Sequence, residues 1–249
     1  MNDLLIAAAA GLIGGSMNAI AGGGSFVTLP ALVTAGVPAL NANATSTVAL
    51  VPSALASAYA YRKHFSGFER VSMRAMALVS VVGGAGGALL LLSTPQRLFD
   101  AILPFLLLIG ALAFTFGRRA GEALRARVHI GPRALLACQF LLGVYGGYFG
   151  GAVGIMMLAT WSLLTNANLS AMQASRNLLN AAMNATAATL FIVGGLIYWP
   201  HMLAMLAAAI VGGYGAAHLA TRLDPSKARM AVVTLIWIIT VAFFWKAFA

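Results

Sequence analysis

Long apolar runs, broken twice by clustered glycines and divided by short basic stretches, make up almost the whole of this chain. Leu4 to Ala21 reads as a first helix that stops at Gly22-Gly23-Gly24. Glycine costs helix stability and Pro30 lacks a backbone donor, so Asn18 to Pro30 predicts an unwound break. The apolar piece that follows, Phe26 to Val37, has about 12 residues, too few to cross a ~30 Å hydrocarbon core as a helix. Asn43 to Tyr61, Ala75 to Leu92 and Leu98 to Phe116 are each long enough to cross. Gly83, Gly84, Gly86 and Gly87 give the middle span a small-residue face suited to close helix packing. A polar loop from Gly117 to Arg133 then carries Arg118, Arg119, Arg125, Arg127 and Arg133.

The second half repeats this plan. Ala134 to Phe149 leads to a second break at Tyr148 to Ile155, and Ile155 to Leu164 is a second short apolar piece. Ala171 to Val193, Met202 to Ala220 and Met230 to Phe248 are the remaining spans. At an offset of 130 positions Gly24 meets Gly154, Ala44 meets Ala174, Pro95 meets Pro225 and Arg97 meets Lys227. The division is therefore a first four-helix repeat over 1–117, a basic linker over 118–133 and a second repeat over 134–249.

With 61% of 249 residues hydrophobic and 8% charged, the chain cannot cover a soluble surface, so lipid is its solvent. The single Cys138 excludes an internal disulfide framework. No P-loop, metal-ligand cluster or Ser/His/Asp arrangement is present, so neither an enzyme, a cofactor nor a metal is expected. The net charge of +10 does not indicate nucleic acid, because the basic residues sit in short loops between apolar runs, as in inner-membrane proteins. Leu4 to Ile20 resembles a secretion signal, but Met1, Asn2 and Asp3 give no basic start and the segment belongs to the repeat. It is expected to be retained.

Charge also predicts topology. If each short piece after a break turns back as a re-entrant segment, each half has three crossings, an odd number, and the halves are inverted. One side then receives Arg62, Lys63, Arg70, Arg74, the five loop arginines, Arg222, Lys227 and Arg229, against Arg97 and Lys246 on the other. The positive-inside rule favours this arrangement, with the central loop cytoplasmic and both termini outside. The expected fold is an all-α polytopic membrane protein of two inverted repeats, each a broken helix with a re-entrant segment plus three transmembrane helices.

Inside the membrane, freed backbone groups must be covered by protein or line a cavity. Amides near the glycines, with helix N-termini, would make a donor-rich pocket for an anion. Each re-entrant piece leads into a helix that opens with polar residues: Asn43-Ala-Thr45-Ser46-Thr47 in the first half and Gln173-Ala-Ser175-Arg176-Asn177 in the second. Asn177, Asn180 and Asn184 fall on one helix face, which lipid would not tolerate. For Asn184, interhelical hydrogen bonding competes with a ligand role. Arg176 is the one basic residue within a crossing segment; it either holds an oxyanion in bidentate fashion or snorkels to the interface. Asp3, Glu69, Asp100, Glu122 and Asp224 all fall in tails, loops or helix ends, which disfavours a cation transporter. His201 and His218 are left as proton sites.

The chain resembles the TauE/SafE family, the sulfite exporter or toluene-sulfonate-uptake permease family, over essentially its whole length. The resemblance rests on Asn18 to Ser25, Leu29-Pro30 and Ala44-Thr45-Ser46, then on Gly143 to Gly154, Ala174, Asn177 and Gly195 to Trp199. It implies transport of small sulfur-containing or carboxylate anions such as sulfite, sulfonates or sulfoacetate. The candidate substrate-binding residues are Asn18, Gly23, Gly24, Ser25, Thr45, Ser46, Gly154, Arg176, Asn177 and Asn180. A dianion leaving an inside-negative cell gains roughly 4–5 kcal/mol per 100 mV, so export would need no coupling ion. The competing readings are a proton-coupled importer of organic acids and a non-transporting anchor subunit. The expected partners are a small anion and the bilayer, and the glycine-rich faces are compatible with a homodimer.

Overall fold

In a computed structural model, residues 2–20, 23–60, 71–125, 131–162, 169–220 and 225–248 are described, and every regular element among them is an α-helix. The first half contains α1 (Asn2–Ile20), α2 (Ser25–Thr34), α3 (Ala39–Ala60), α4 (Met73–Ser93) and α5 (Gln96–Arg125). The second contains α6 (Pro132–Tyr148), α7 (Val153–Ser162), α8 (Leu169–Val193), α9 (Trp199–Ala220) and α10 (Pro225–Phe248). The spans read from the apolar pattern recur within a few residues, with one substantial difference. Helix α5 runs through Arg125, not stopping at Phe116, so the first half of the expected polar loop is helical. Arginine, alanine, glutamate and leucine are good helix formers. A change to polar sequence marks where a helix leaves an apolar environment rather than where it ends. Arg62, Lys63, Arg70, Arg127, Arg222, Glu69 and Asp224 lie outside the described residues.

Three helices among the described residues are long and apolar enough to cross a membrane: Met73–Ser93, Gln96–Gly117 and Met230–Ala247. Leu78, Leu89, Phe105, Ile109, Val211 and Ile238 are exposed on the outer faces of the bundle. So large an apolar surface is expected of a protein whose solvent is lipid.

Helix pairs in the bundle are set by glycine. Helix α1 lies along α9, where a Cβ on Gly11 or Gly15 would come within 2.9 or 2.7 Å of the Met205 or Ala209 Cα. Helix α4 lies along α6 in the same way: a Cβ on Gly83 would meet the Phe140 carbonyl oxygen at 2.6 Å, and one on Gly87 would meet the Tyr148 nitrogen at 2.7 Å. Contacts this short are available only to glycine, and they bring the backbones together as in small-residue membrane packing. Gly86 departs from the expected face, since nothing lies within 4 Å of where its Cβ would be. The remaining contacts are reciprocal between halves. Helix α3 packs on α9 as α8 packs on α4, α2 on α10 as α7 on α5, and α3 and α8 meet at the centre.

A chain of hydrogen bonds between buried polar groups ties α7, α6 and α4. Trp161 Nε1 donates to Gln139 Oε1 at 3.1 Å, Gln139 Nε2 to Ser80 Oγ at 2.8 Å, and Ser80 Oγ to the Met76 carbonyl at 2.7 Å. At one end of the bundle Asn41 Nδ2 donates to the Leu196 carbonyl at 2.9 Å and the Leu40 amide to Gln96 Oε1 at 3.4 Å. These bonds gather the starts of α3 and α5 beside the turn between α8 and α9.

Candidate functional site

Both breaks are real interruptions, and each opens a new short helix. At the first, Gly23 has φ +101°, a conformation L side chains rarely adopt, and its Cβ would strike the Phe114 ring at 2.6 Å. The Phe26 and Val27 amides close on the Gly23 and Gly24 carbonyls at 3.0 Å each, starting α2. At the second, the Phe149 and Gly150 amides both turn to the Tyr145 carbonyl, ending α6. Gly150 (φ +77°) and Ala152 (φ +61°) then reverse the chain, and the Ile155 and Met156 amides take the Ala152 carbonyl to start α7. Ala152 is the non-glycine residue held in the left-handed region, a strain of about 1 kcal/mol or more that the packing around it offsets.

Residues from both breaks surround one cavity of about 50 Å³, several times the space a single water needs. The first break contributes Asn18, Gly23 and Ser25; the second contributes Gly150, Ala152, Val153, Gly154 and Ile155. Helix α8 adds Arg176, Asn177, Asn180 and Asn184, α3 adds Thr47, Leu50 and Ala54, and α5 adds Phe114. Helices α2 and α7 therefore both begin at this cavity. The Phe26, Val27 and Thr28 amides close on Gly23 and Gly24 and the Ile155 and Met156 amides on Ala152, while both positive dipole ends lie against the cavity. Among the described residues, no acidic side chain lines it.

Arg176 is half-buried, and its Nη2 and Nε donate to Asn177 Oδ1 at 2.9 and 3.2 Å. A Cβ on Gly154 would sit 3.2 Å from Arg176 Cδ, so the missing side chain at the second break is what leaves room for the arginine. Asn18 Nδ2 donates to Ser53 Oγ at 2.7 Å, which fixes the end of α1 against α3. Seven of the ten residues expected from the sequence thus meet at one place: Asn18, Gly23, Ser25, Gly154, Arg176, Asn177 and Asn180.

Gly24, Thr45 and Ser46 are not among the cavity lining, and each has another partner. Gly24 seats α2 against α1, where its Cβ would come within 2.9 Å of the Gly14 carbonyl carbon. Thr45 Oγ1 accepts from the Tyr198 amide at 3.1 Å, and Ser46 Oγ is bonded to Thr28 Oγ1 at 2.5 Å. Both side chains are fully buried between helices. Sequence reasoning passed over Thr47. The signal was available, since Thr47, Leu50 and Ala54 lie 130 positions before Asn177, Asn180 and Asn184 and line the same cavity. Asn184 does not make the interhelical bond weighed for it among the described residues; its Nδ2 donates within α8, to Asn180 Oδ1 at 3.2 Å. Its Oδ1 is buried without a hydrogen-bond partner among the described residues. His201 lies away from the cavity, its ring edge-on to Tyr198 with centroids 6.2 Å apart, and the His218 side chain is outside the described residues.

Comparison with known proteins shows similarity to membrane transporters over nearly the whole chain. The profile of the family described as "Sulfite exporter TauE/SafE" matches residues 7–243. A probable membrane transporter protein of Haemophilus influenzae is 32% identical over 235 residues, covering 92% of this chain and 90% of its own length. The probable membrane transporter protein YfcA of Escherichia coli is 31% identical over 230 residues, covering 92% of this chain and 83% of its own. A probable membrane transporter protein, ORF9, from Sinorhizobium sp is 30% identical over 236 residues, with coverages of 94% and 87%. With its broken helices converging on a central cavity and this match over nearly its whole length, the chain belongs to the sulfite exporter TauE/SafE family of membrane transporters.

Proposed function

We propose that this protein is a secondary transporter that exports small oxyanions, sulfur-containing ones such as sulfite and sulfonates foremost. The observation that carries this reading is the convergence of two helix N-termini and Arg176 on one cavity free of acidic side chains. Donors and positive dipole ends favour an anion there, and nothing in the lining suits a bare divalent cation. An anion moving outward across an inside-negative membrane gains ~2.3 kcal/mol per charge per 100 mV, so export needs no proton or sodium ion.

The cavity would be exposed alternately to the two sides of a bacterial-type inner membrane through inverted halves. Parallel pairing of α1 with α9 supports this, because it sets the start of α1 at the end of the bundle where α9 begins. Residues Val37 and Pro38, after α2, share a crevice there with Gln96 and Lys246, so the α1–α2 hairpin leaves from the end at which it came in. Helix α6 instead runs parallel to α4 and α7 heads along the far part of α5, where Gly117 faces Ile155 and Ala159. The positive-inside rule favours a cytoplasmic central loop with both termini outside.

Purified protein in liposomes should carry labelled sulfite in response to a membrane potential without a pH gradient. Flux only with a pH gradient would favour the proton-coupled importer, and no flux with any anion would leave an anchor. For topology, cysteines at Ser72 and Gly195, both exposed, should label from opposite sides once Cys138 is replaced. Labelling from one side would end the inverted arrangement.

A further inference from the structure

The cavity has a second pole, opposite in character to the anion site. A point one bond out from Gly150 Cα, where a Cβ would stand, has three oxygens as its nearest heavy atoms. They are the Gly146 carbonyl at 3.5 Å, Asn184 Oδ1 at 3.7 Å and Thr47 Oγ1 at 3.9 Å. All three are oxygens able to accept a hydrogen bond. The amide of Gly150, which would continue the helix ladder on the Gly146 carbonyl, goes to Tyr145. The Thr47 hydroxyl spends its hydrogen on the Asn43 carbonyl at 2.9 Å, so its lone pairs remain. The Asn184 amide spends a donor on Asn180 Oδ1, and its own oxygen is buried with no partner among the described residues. This is also where α6 ends, so the negative end of a helix dipole adds to the same point. A buried acceptor without a donor costs about 1–3 kcal/mol, and Asn184 Oδ1, with two further oxygens near the same open point, calls for a donor from outside the protein.

The donor-rich pole lies at Arg176 and the start of α7, and the acceptor pole lies two turns along the same α8 face, about 12 Å by Cα rise from Arg176 to Asn184. We infer that the substrate is an anion carrying a hydrogen-bond donor, a hydroxyl or a protonated amine, at its other end. The inference rests on the anion reading of the cavity and adds a requirement to it. A hydroxyl would leave the anion's charge, and the pull of the membrane potential, intact; an amine would cancel both.

The test is a binding series on the purified full chain with ethanesulfonate, 2-hydroxyethanesulfonate and 2-aminoethanesulfonate, each in sodium and in choline buffer. Wild type should bind the hydroxyl and amine compounds at least about tenfold more tightly than ethanesulfonate. Asn184→Leu should collapse that ratio towards one. Asn184→Asp, which puts a charge at the acceptor pole, should widen it for the amine alone. Equal affinities in wild type, or a ratio unchanged in both variants at matched folded yield, would overturn the inference while the anion site stood. Ethanesulfonate that binds more tightly in sodium than in choline would also overturn it, by giving the pole to a metal ion. If none of the three binds and sulfite does not either, the anion reading falls, and this inference with it.

Discussion

The two halves of the molecule bring the same positions to the cavity and opposite chemistry. Thr47, Leu50 and Ala54 on α3 stand 130 positions from Asn177, Asn180 and Asn184 on α8, and all six line the cavity. At the breaks the pairs are Gly23 with Val153 and Ser25 with Ile155, again all lining. Ser46 is buried against Thr28 on α2, whereas its counterpart Arg176 reaches the cavity beside Gly154. Leu50 and Ala54 offer methyl groups where Asn180 and Asn184 offer amides, Thr47 a hydroxyl where Asn177 offers an amide, and Ser46 a bonded hydroxyl where Arg176 offers a guanidinium. Duplication explains the shape of the cavity, and divergence within it explains the polarity. A symmetric site would treat both ends of a substrate alike, and this one does not.

The sharpest way to break the comparison is at Arg176. Arg176→Gln should weaken binding of the anionic substrate by ten- to more than a hundredfold, since losing a charge-assisted bond costs ~1.5–3 kcal/mol. Arg176→Lys keeps the charge but not the planar fork, so only part of the affinity should return. If affinity is equal for arginine, lysine and glutamine at matched folded yield, the guanidinium does not touch the substrate and the halves differ less than their sequences imply.

Next in size is a contrast between the breaks. Gly23→Ala places a side chain at φ +101° and against the Phe114 ring, so it should cost about 1–3 kcal/mol of stability and lower the thermal midpoint in detergent. From sequence alone this change would be judged mild, because spacing shows a glycine's presence but not its φ. Gly154→Ala has no such backbone constraint. It meets Arg176 Cδ at 3.2 Å, so it should shift affinity more than stability. Equal thermal losses at both positions would mean that both glycines serve packing.

A third change exchanges character across the pseudo-symmetry. Asn180→Leu removes the acceptor for the Asn184 amide and should weaken substrate binding by about three- to tenfold, or ~0.5–1.5 kcal/mol. Leu50→Asn removes a nearly fully buried aliphatic side chain from α3 and should instead cost about 1–3 kcal/mol of stability. Binding isotherms and thermal unfolding on both variants would show whether polarity serves function on one side and harms the fold on the other.

The order of spans, both breaks and the α8 amide stripe were legible in the sequence, because apolar length and glycine clustering report directly on what lipid will accept. Three things were not. The end of α5 was hidden because Arg118 to Arg125 is polar yet helix-forming. The absence of Gly24, Thr45 and Ser46 from the lining was hidden because helical spacing gives relative faces but not which neighbour each face meets. Thr47 was overlooked because it stands beside two other hydroxyls, and only its alignment with Asn177 singles it out. The acceptor pole at Gly150 depends on which carbonyl an amide chooses at the end of α6, a choice that no residue type reveals.

The smallest effect should come from Ala152, where the second break uses alanine at a left-handed position and the first uses Gly23. Ala152→Gly would relieve a strain of about 1 kcal/mol, but it gives the unfolded chain about 0.4–1 kcal/mol of extra conformational freedom. It also removes a methyl group that is almost fully buried, a loss of ~0.8 kcal/mol. The terms nearly cancel, and the net change should stay below about 1 kcal/mol in either direction. Ala152→Val differs, because a β-branched side chain at φ +61° adds steric cost that alanine does not. Thermal unfolding of wild type and the two variants in one detergent distinguishes the cases. A glycine variant close to wild type with a clearly destabilised valine variant fits a turn that tolerates alanine because its methyl packs. A glycine variant stabilised by well over 1 kcal/mol would instead mean that the second break stores strain which the first, built on glycine, does not.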